Sequence, residues 1–193
     1  KYDLKYLDDP KNVYGKSENI NTLVRKGLKE EMPGAEQILN QFYWTPADME
    51  EVMVDMEEGM TPKEAAVKWI EKYPNKVDQW LTGAEKGEGQ SISLIYVAWE
   101  SEIASTNVIG EVLRMHGYSP ELKQVEVGPM YASIANQKAD AMVAAWLPLT
   151  HKAYYDKYKE DLIDLGPNLK GAKSGLVVPT YMDIDSIEDL VKE

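Results

Sequence analysis

The run ISLIYVA at residues 92–98 is followed by IASTNVIGEVLRMH at 103–116, LKQVEV at 122–127, PMYASIANQ at 129–137 and AMVAA at 141–145, and this alternation decides the fold. The first, third and fifth runs are short and apolar or alternating, as buried strands are. The second places Val108, Ile109, Val112 and Leu113 at helical spacing, and the fourth reads as a shorter helix. Two successive βαβ units with right-handed crossovers require a parallel sheet with helices on its faces. The loops after Ala98, Val127 and Ala145 then open on one edge. Further on, Leu176-Val177-Val178 before Pro179 supplies another strand, and Ser186 with Asp189 starts a terminal helix.

Upstream the grammar changes. Lys86-Gly87-Glu88-Gly89-Gln90 is a polar, glycine-rich linker, and before it helix follows helix. Thr45-Pro46 with Asp48 and Thr61-Pro62 with Glu64 each combine a capping hydroxyl, a proline at the first helical position and an acid three residues on. The first of these helices aligns Met49, Val52, Met53 and Met56, and the second Ala65, Ala66, Trp69 and Ile70. The methionine face reads as core rather than as a promiscuous groove. Pro33-Gly34 starts an earlier helix running to about Phe42, and Pro74 starts a last one carrying Val77, Trp80 and Leu81. Leu4 to Leu7 and Ile20 to Val24 are candidate strands. The chain divides into residues 1–88, a connecting strand and helical layer, and residues 89–193, a βαβ ligand-binding lobe, together forming one lobe.

A chain of 193 residues, 44% hydrophobic, can bury a sizeable core. The net charge of −12 excludes nucleic acid as a partner, since phosphate binding needs a clustered basic surface. Without cysteine there is no disulfide or thiolate chemistry, and redox state gives no cellular address. No run approaches the ~18 apolar residues of a membrane span. The start at Lys1-Tyr2-Asp3 carries neither methionine nor signal peptide, which reads as a processed or cut chain.

Enzyme chemistry finds little support. There is no Gly-x-Ser-x-Gly elbow, and Gly83 to Gly89 follows a helix where a phosphate loop follows a strand. His116 and His151 lack ligand partners at metal-site spacing, and no cofactor motif is present. His116, just before Gly117 at a helix end, suits the negative end of the helix dipole. Trp44, Trp69 and Trp80 lie on or beside apolar helix faces and read as core. Trp99 and Trp146 instead close apolar strands ahead of loops, where packing and ligand contact are both open. Two indole faces suit a quaternary ammonium group, which donates no hydrogen bond and is held by the negative faces of aromatic rings. His151, after Pro148 at a helix start, reads either as a capping or surface residue or as a donor to a ligand carboxylate, with nearby backbone amides adding others.

The runs Tyr96 to Asn107, Val127-Gly128-Pro129-Met130, Ala145-Trp146-Leu147-Pro148-Leu149-Thr150-His151-Lys152 and Gly175-Leu176-Val177-Val178-Pro179 closely resemble the glycine betaine binding proteins of osmoprotectant ABC importers, and the likeness extends through Leu4 to Lys11 and the helical layer. That resemblance implies a lobe of the periplasmic-binding-protein type II fold, α/β with a parallel-rich sheet. It also implies an extracytoplasmic, membrane-associated protein that presents a betaine to a permease and its ATPase subunit and catalyses no reaction. Trp99 and Trp146 would be two walls of a tryptophan box, and His151 the carboxylate donor.

The family pattern also includes a Gly-x-Gly turn and a Gly-Trp-Thr-Pro-His-Trp run that supply another wall and the carboxylate amides, and neither occurs here. The chain therefore resembles the last two-thirds of such a protein. Losing a wall at ~1–2 kcal/mol and charge-assisted hydrogen bonds at ~1.5–3 kcal/mol each predicts weak or undetectable binding by this chain alone. The alternatives are an isolated α/β lobe that binds nothing, and a small-molecule enzyme with His151 as base.

Overall fold

Residues 3–15 and 17–191 are described by a computed structural model. Leu4–Tyr6 forms β1 and Glu18–Arg25 forms β2, a strand buried along most of its length. A helical layer follows: α1 (Leu28–Glu31), α2 (Pro33–Gln41), α3 (Pro46–Glu57), α4 (Pro62–Lys72) and α5 (Pro74–Leu81). Both anticipated capping boxes are present. Thr45 and Thr61 accept from the amides of Asp48 and Glu64, whose carboxylates accept from the cap amides in return. Phe42, Trp44, Trp69 and Trp80 lock this layer together, with Trp69 stacked on Trp80 at 5.7 Å and edge-on to Trp44 at 5.9 Å. Rings packed in these orientations gain dispersion beyond the burial of their area.

The alternating half runs β3 (Ser91–Tyr96), α6 (Glu100–Met115), β4 (Ser119–Gln124), α7 (Val127–Ala135), β5 (Ala141–Leu147), α8 (Lys152–Tyr158), β6 (Leu162–Ala172) and β7 (Val177–Pro179). The five-stranded sheet has the order β4-β3-β5-β2-β6. β3 is parallel to β4 and β5, so the carboxyl ends of these three strands share one edge. β2 is antiparallel to both β5 and β6, so the sheet is mixed but parallel-rich: β4, β3, β5 and β6 run one way and β2 alone runs against them. β2 enters from outside the βαβ units, so no crossover fixes its direction.

Three local readings also change. The strand expected at Leu122 to Val127 is β4, which begins at Ser119 and ends at Gln124, its Pro120 tolerated because β4 is an edge. The strand at 177–179 pairs with β1 in a separate two-stranded ribbon and not with the main sheet. The segment after Ser186 forms a 3₁₀ turn, Ile187–Val191, instead of a full helix.

Two cores lie on the two faces of the sheet. The larger joins Ile20, Val24, Ile92 and Leu94 to α6 and the helical layer, so it crosses from residues 1–88 into residues 89–193. The smaller joins Leu23, Ile95, Val97 and Met142 to Met130, Tyr131 and Ile134 of α7. Arg25 and Asp140 bind these parts together: Asp140 accepts from Arg25 Nε at 2.7 Å and from the Ser93 amide at 2.7 Å. At Gly117, φ is +94° and a Cβ would overlap the Gly87 carbonyl, so glycine is required where the linker lies against the end of α6.

Candidate functional site

The β3–α6 turn presents Trp99 as the helix N-cap residue, its side chain 41% exposed. The turn is drawn tight from below. Trp99 N–H donates to the Val97 carbonyl at 2.8 Å, and Val97 N–H donates to Glu102 Oε2 at 2.8 Å. Glu102 is fully buried and its Oε1 has no partner. Burial pushes its carboxyl up to about 8, outweighing the opposing hydrogen bond from Val97, so Glu102 is largely a neutral acid at pH 7.

His151 sits at the N-cap of α8 and is 1% exposed. Its amide donates to the Trp146 carbonyl at 2.9 Å, and its Nδ1 accepts from the Trp146 amide at 3.2 Å. An accepting Nδ1 assigns the proton to Nε2, which is buried and has no hydrogen-bond partner. Burial lowers the imidazole to about 4, against an opposing pull from Glu18, so the ring is a neutral donor throughout the physiological range.

Trp99 lies over the His151 ring at 5.6 Å, tilted by 37°, and Tyr131 of α7 meets it edge-on at 5.6 Å. The Tyr131 hydroxyl is also buried without a partner, and burial raises its pKa. Trp99 and His151 come together because β3 and β5 are adjacent parallel strands whose carboxyl ends share an edge. Trp146 is placed differently, in β5 itself. Four residues of β5, Met142 to Ala145, stand opposite three of β2, Asn21 to Leu23, and beyond this bulge Trp146 packs with Val143 on the larger core while Ala145 and Leu147 face the smaller one. Its ring is half-buried, and its Nε1 has no partner.

The amides expected to assist His151 are already taken. Leu149 and Thr150 N–H both donate to Glu18 Oε1, at 2.9 and 2.7 Å, so they are turned away from any ligand. His116 ends α6 as its spacing indicates, with Nε2 3.0 Å from the Ala84 carbonyl. Glu18, Glu102 and Tyr131 were not singled out from sequence. Only Glu102 left a signal, standing three residues after the N-cap where a capping acid belongs. Among the described residues no group of three or more His, Asp or Glu side chains is arranged to hold a metal ion, and no helix is long and apolar enough to cross a membrane.

Residues 1–72 and 90–193 match the family OpuAC, the substrate binding domain of the ABC-type glycine betaine transport system. The glycine betaine/carnitine transport binding protein GbuC of Listeria monocytogenes is 59% identical over 191 residues, which is 98% of this chain and 64% of the Listeria protein. The chain thus spans less than two-thirds of that relative's length. Among solved structures, lactococcal OpuAC, closed and complexed with glycine betaine, matches 52% of this chain and 39% of its own at 45% identity and a TM-score of 0.50. A phosphate-binding protein of a Streptococcus pneumoniae phosphate ABC transporter matches 97% of this chain and 66% of its own at a TM-score of 0.50 and 11% identity, a likeness of fold alone.

Proposed function

Because the chain belongs to the family of substrate-binding domains of ABC-type glycine betaine transport systems, we propose that it forms one lobe of a protein that captures glycine betaine or a related quaternary ammonium compound outside the membrane. The lobe would hand its ligand to a permease driven by an ATPase subunit. Residues 1–88 contribute β2 and the helical layer to that lobe, and residues 89–193 contribute Trp99, Trp146 and His151, the ligand-binding residues of this proposal. Trp99 and Trp146 offer their faces to the trimethylammonium group, and His151 donates Nε2–H to the carboxylate.

The observation that most supports this reading is the state of His151, a buried neutral ring whose one free donor lies beneath an exposed indole. A neutral imidazole serves a zwitterion well, since it donates to the carboxylate without setting a positive charge beside the ammonium. Binding would displace Trp99 from over the imidazole, because Nε2 is covered in the present arrangement. That covered donor also favours a second reading, a lobe that binds nothing until a further segment completes the site.

Calorimetric titration of glycine betaine into this chain, and into a chain extended to the length of the Listeria relative, tests both readings. Binding by the extended chain alone is expected. Binding by both would make Trp99, Trp146 and His151 a sufficient site, and binding by neither would remove the betaine assignment. Trp99→Ala and Trp146→Ala in the binding form should each weaken affinity by roughly tenfold, as ~1–2 kcal/mol per aromatic face implies.

A further inference from the structure

We propose that Glu18 is the positioning residue for His151, an inference that rests on the betaine-site reading above: its carboxylate latches the 148–151 turn to β2 and so fixes the direction in which the imidazole donates. Glu18 is 1% exposed and stands at the start of β2, paired with Ala172 of β6. Its two oxygens have separate duties. Oε1 accepts both turn amides, Leu149 at 2.9 Å and Thr150 at 2.7 Å, while Oε2 accepts the Thr150 hydroxyl at 2.6 Å and the Ser174 hydroxyl at 3.5 Å. All four partners are donors, which suits an acceptor-only carboxylate and no other side-chain group. Burial works against the charge, yet the hydrogen bonds from Thr150, Leu149 and Ser174 bring the carboxyl below its ordinary value.

The latch reaches His151 through the chain. Between Trp146 and His151 the main chain closes on itself, the His151 amide returning to the Trp146 carbonyl and the Trp146 amide to Nδ1. Inside that loop the amides of Leu149 and Thr150 are the two that Glu18 grips. With the turn held, Nδ1 remains an acceptor and the proton stays on Nε2. With it released, the Trp146 amide is the one bond left to hold Nδ1, and the turn no longer keeps the ring within its reach. Glu18 also removes two amide donors from the site, leaving His151 as the turn's donor to a carboxylate. The charge is supplied by β2, whose sequence lies far from the turn it controls.

The tautomer of His151 can be read directly from side-chain ¹H–¹⁵N correlations between pH 5 and 8, with His116, held at the Ala84 carbonyl, as the reference in the same spectrum. The parent chain should show a single Nε2–H form of His151 that does not titrate in this range. Glu18→Gln, which replaces one acceptor oxygen by a donor, should give a mixture of Nδ1–H and Nε2–H tautomers of His151, with the His116 signal unchanged. A folded Glu18→Gln chain with the parent His151 signature would overturn the proposal, since a purely structural Glu18 would leave the ring untouched. If Glu18→Gln does not fold, Thr150→Val removes only the hydroxyl bond to Oε2. Mixed His151 tautomers in that variant support the latch, and a single Nε2–H form overturns it. The spectrum needs no ligand, so mixed His151 tautomers together with no calorimetric response to glycine betaine in the extended chain would uphold the latch and refute the betaine reading.

Discussion

Replacing Glu102 by Gln should stabilise the protein at alkaline pH relative to neutral pH. Folded Glu102 keeps its proton up to about 8, whereas the unfolded carboxyl releases it near its ordinary 4.5. The folded state therefore binds more protons between these values, and this group's contribution to stability falls as pH rises through the window. His151 acts in the opposite sense. Its folded value of about 4 lies below the ordinary 6.5, so its contribution rises with pH between those limits. Unfolded His151 is still half protonated at pH 6.5, so between pH 6.5 and 8 it adds a further ~0.4 kcal/mol, opposite in sign to Glu102 and the same in parent and variant. Allowing for half-ionisation at the midpoint, the parent should lose ~1.5 kcal/mol from Glu102 between pH 6.5 and pH 8. Glutamine keeps a carbonyl oxygen for the Val97 amide but carries no ionisable proton. Urea unfolding of both proteins at the two pH values gives the difference, in which every other titrating group cancels. A stability difference between parent and variant that is the same at both pH values would refute the neutral, buried Glu102.

Trp69→Ala should cost ~3–5 kcal/mol, since it empties the centre of the ring cluster, whereas Trp99→Ala should cost under ~1 kcal/mol because that ring is largely outside the core; urea midpoints of the two variants compare them directly. Thr61→Ala should lower stability by ~1 kcal/mol through loss of the cap on α4, read by the same assay. Asp140→Ala leaves Arg25 with Glu31 as its remaining carboxylate and the Ser93 amide without the Asp140 acceptor, and a loss of ~1.5–3 kcal/mol is expected by denaturant unfolding.

The helical layer could be read from the chain because its signals are local. A threonine, a proline and an acid at fixed spacing define a helix start whatever surrounds them, as at Thr45 and Thr61. β6 could not. Gly166, Pro167 and Gly171 are poor strand formers, and pairing with β2, interrupted by three register shifts, makes the segment a strand. Its Asn168 would look misplaced in a buried strand, yet its Nδ2 donates to Thr22 Oγ1 and the Val143 carbonyl, both at 2.9 Å. Trp99 and His151 were reachable because the βαβ pattern dictates where parallel strands end. Glu18 and Tyr131 were not, since their place beside His151 depends on contacts made across the sheet and between helices, which no spacing in the chain encodes.

The insertion of β2 between β5 and β6 also sets an order of assembly. β2 is complete by Arg25, but its partners begin at Ala141 and Leu162, so Ile20, Leu23 and Val24 wait for more than half of the chain before either neighbouring strand exists. Such distant pairings carry the loop-closure entropy that slows folding. The helical layer and the β3–α6–β4 unit rest on nearer contacts and can form earlier. The turn that aims His151 is held to β2, so the aromatic edge is a late product of folding, and the Glu18 bonds to that turn form only once the two halves of the chain have joined.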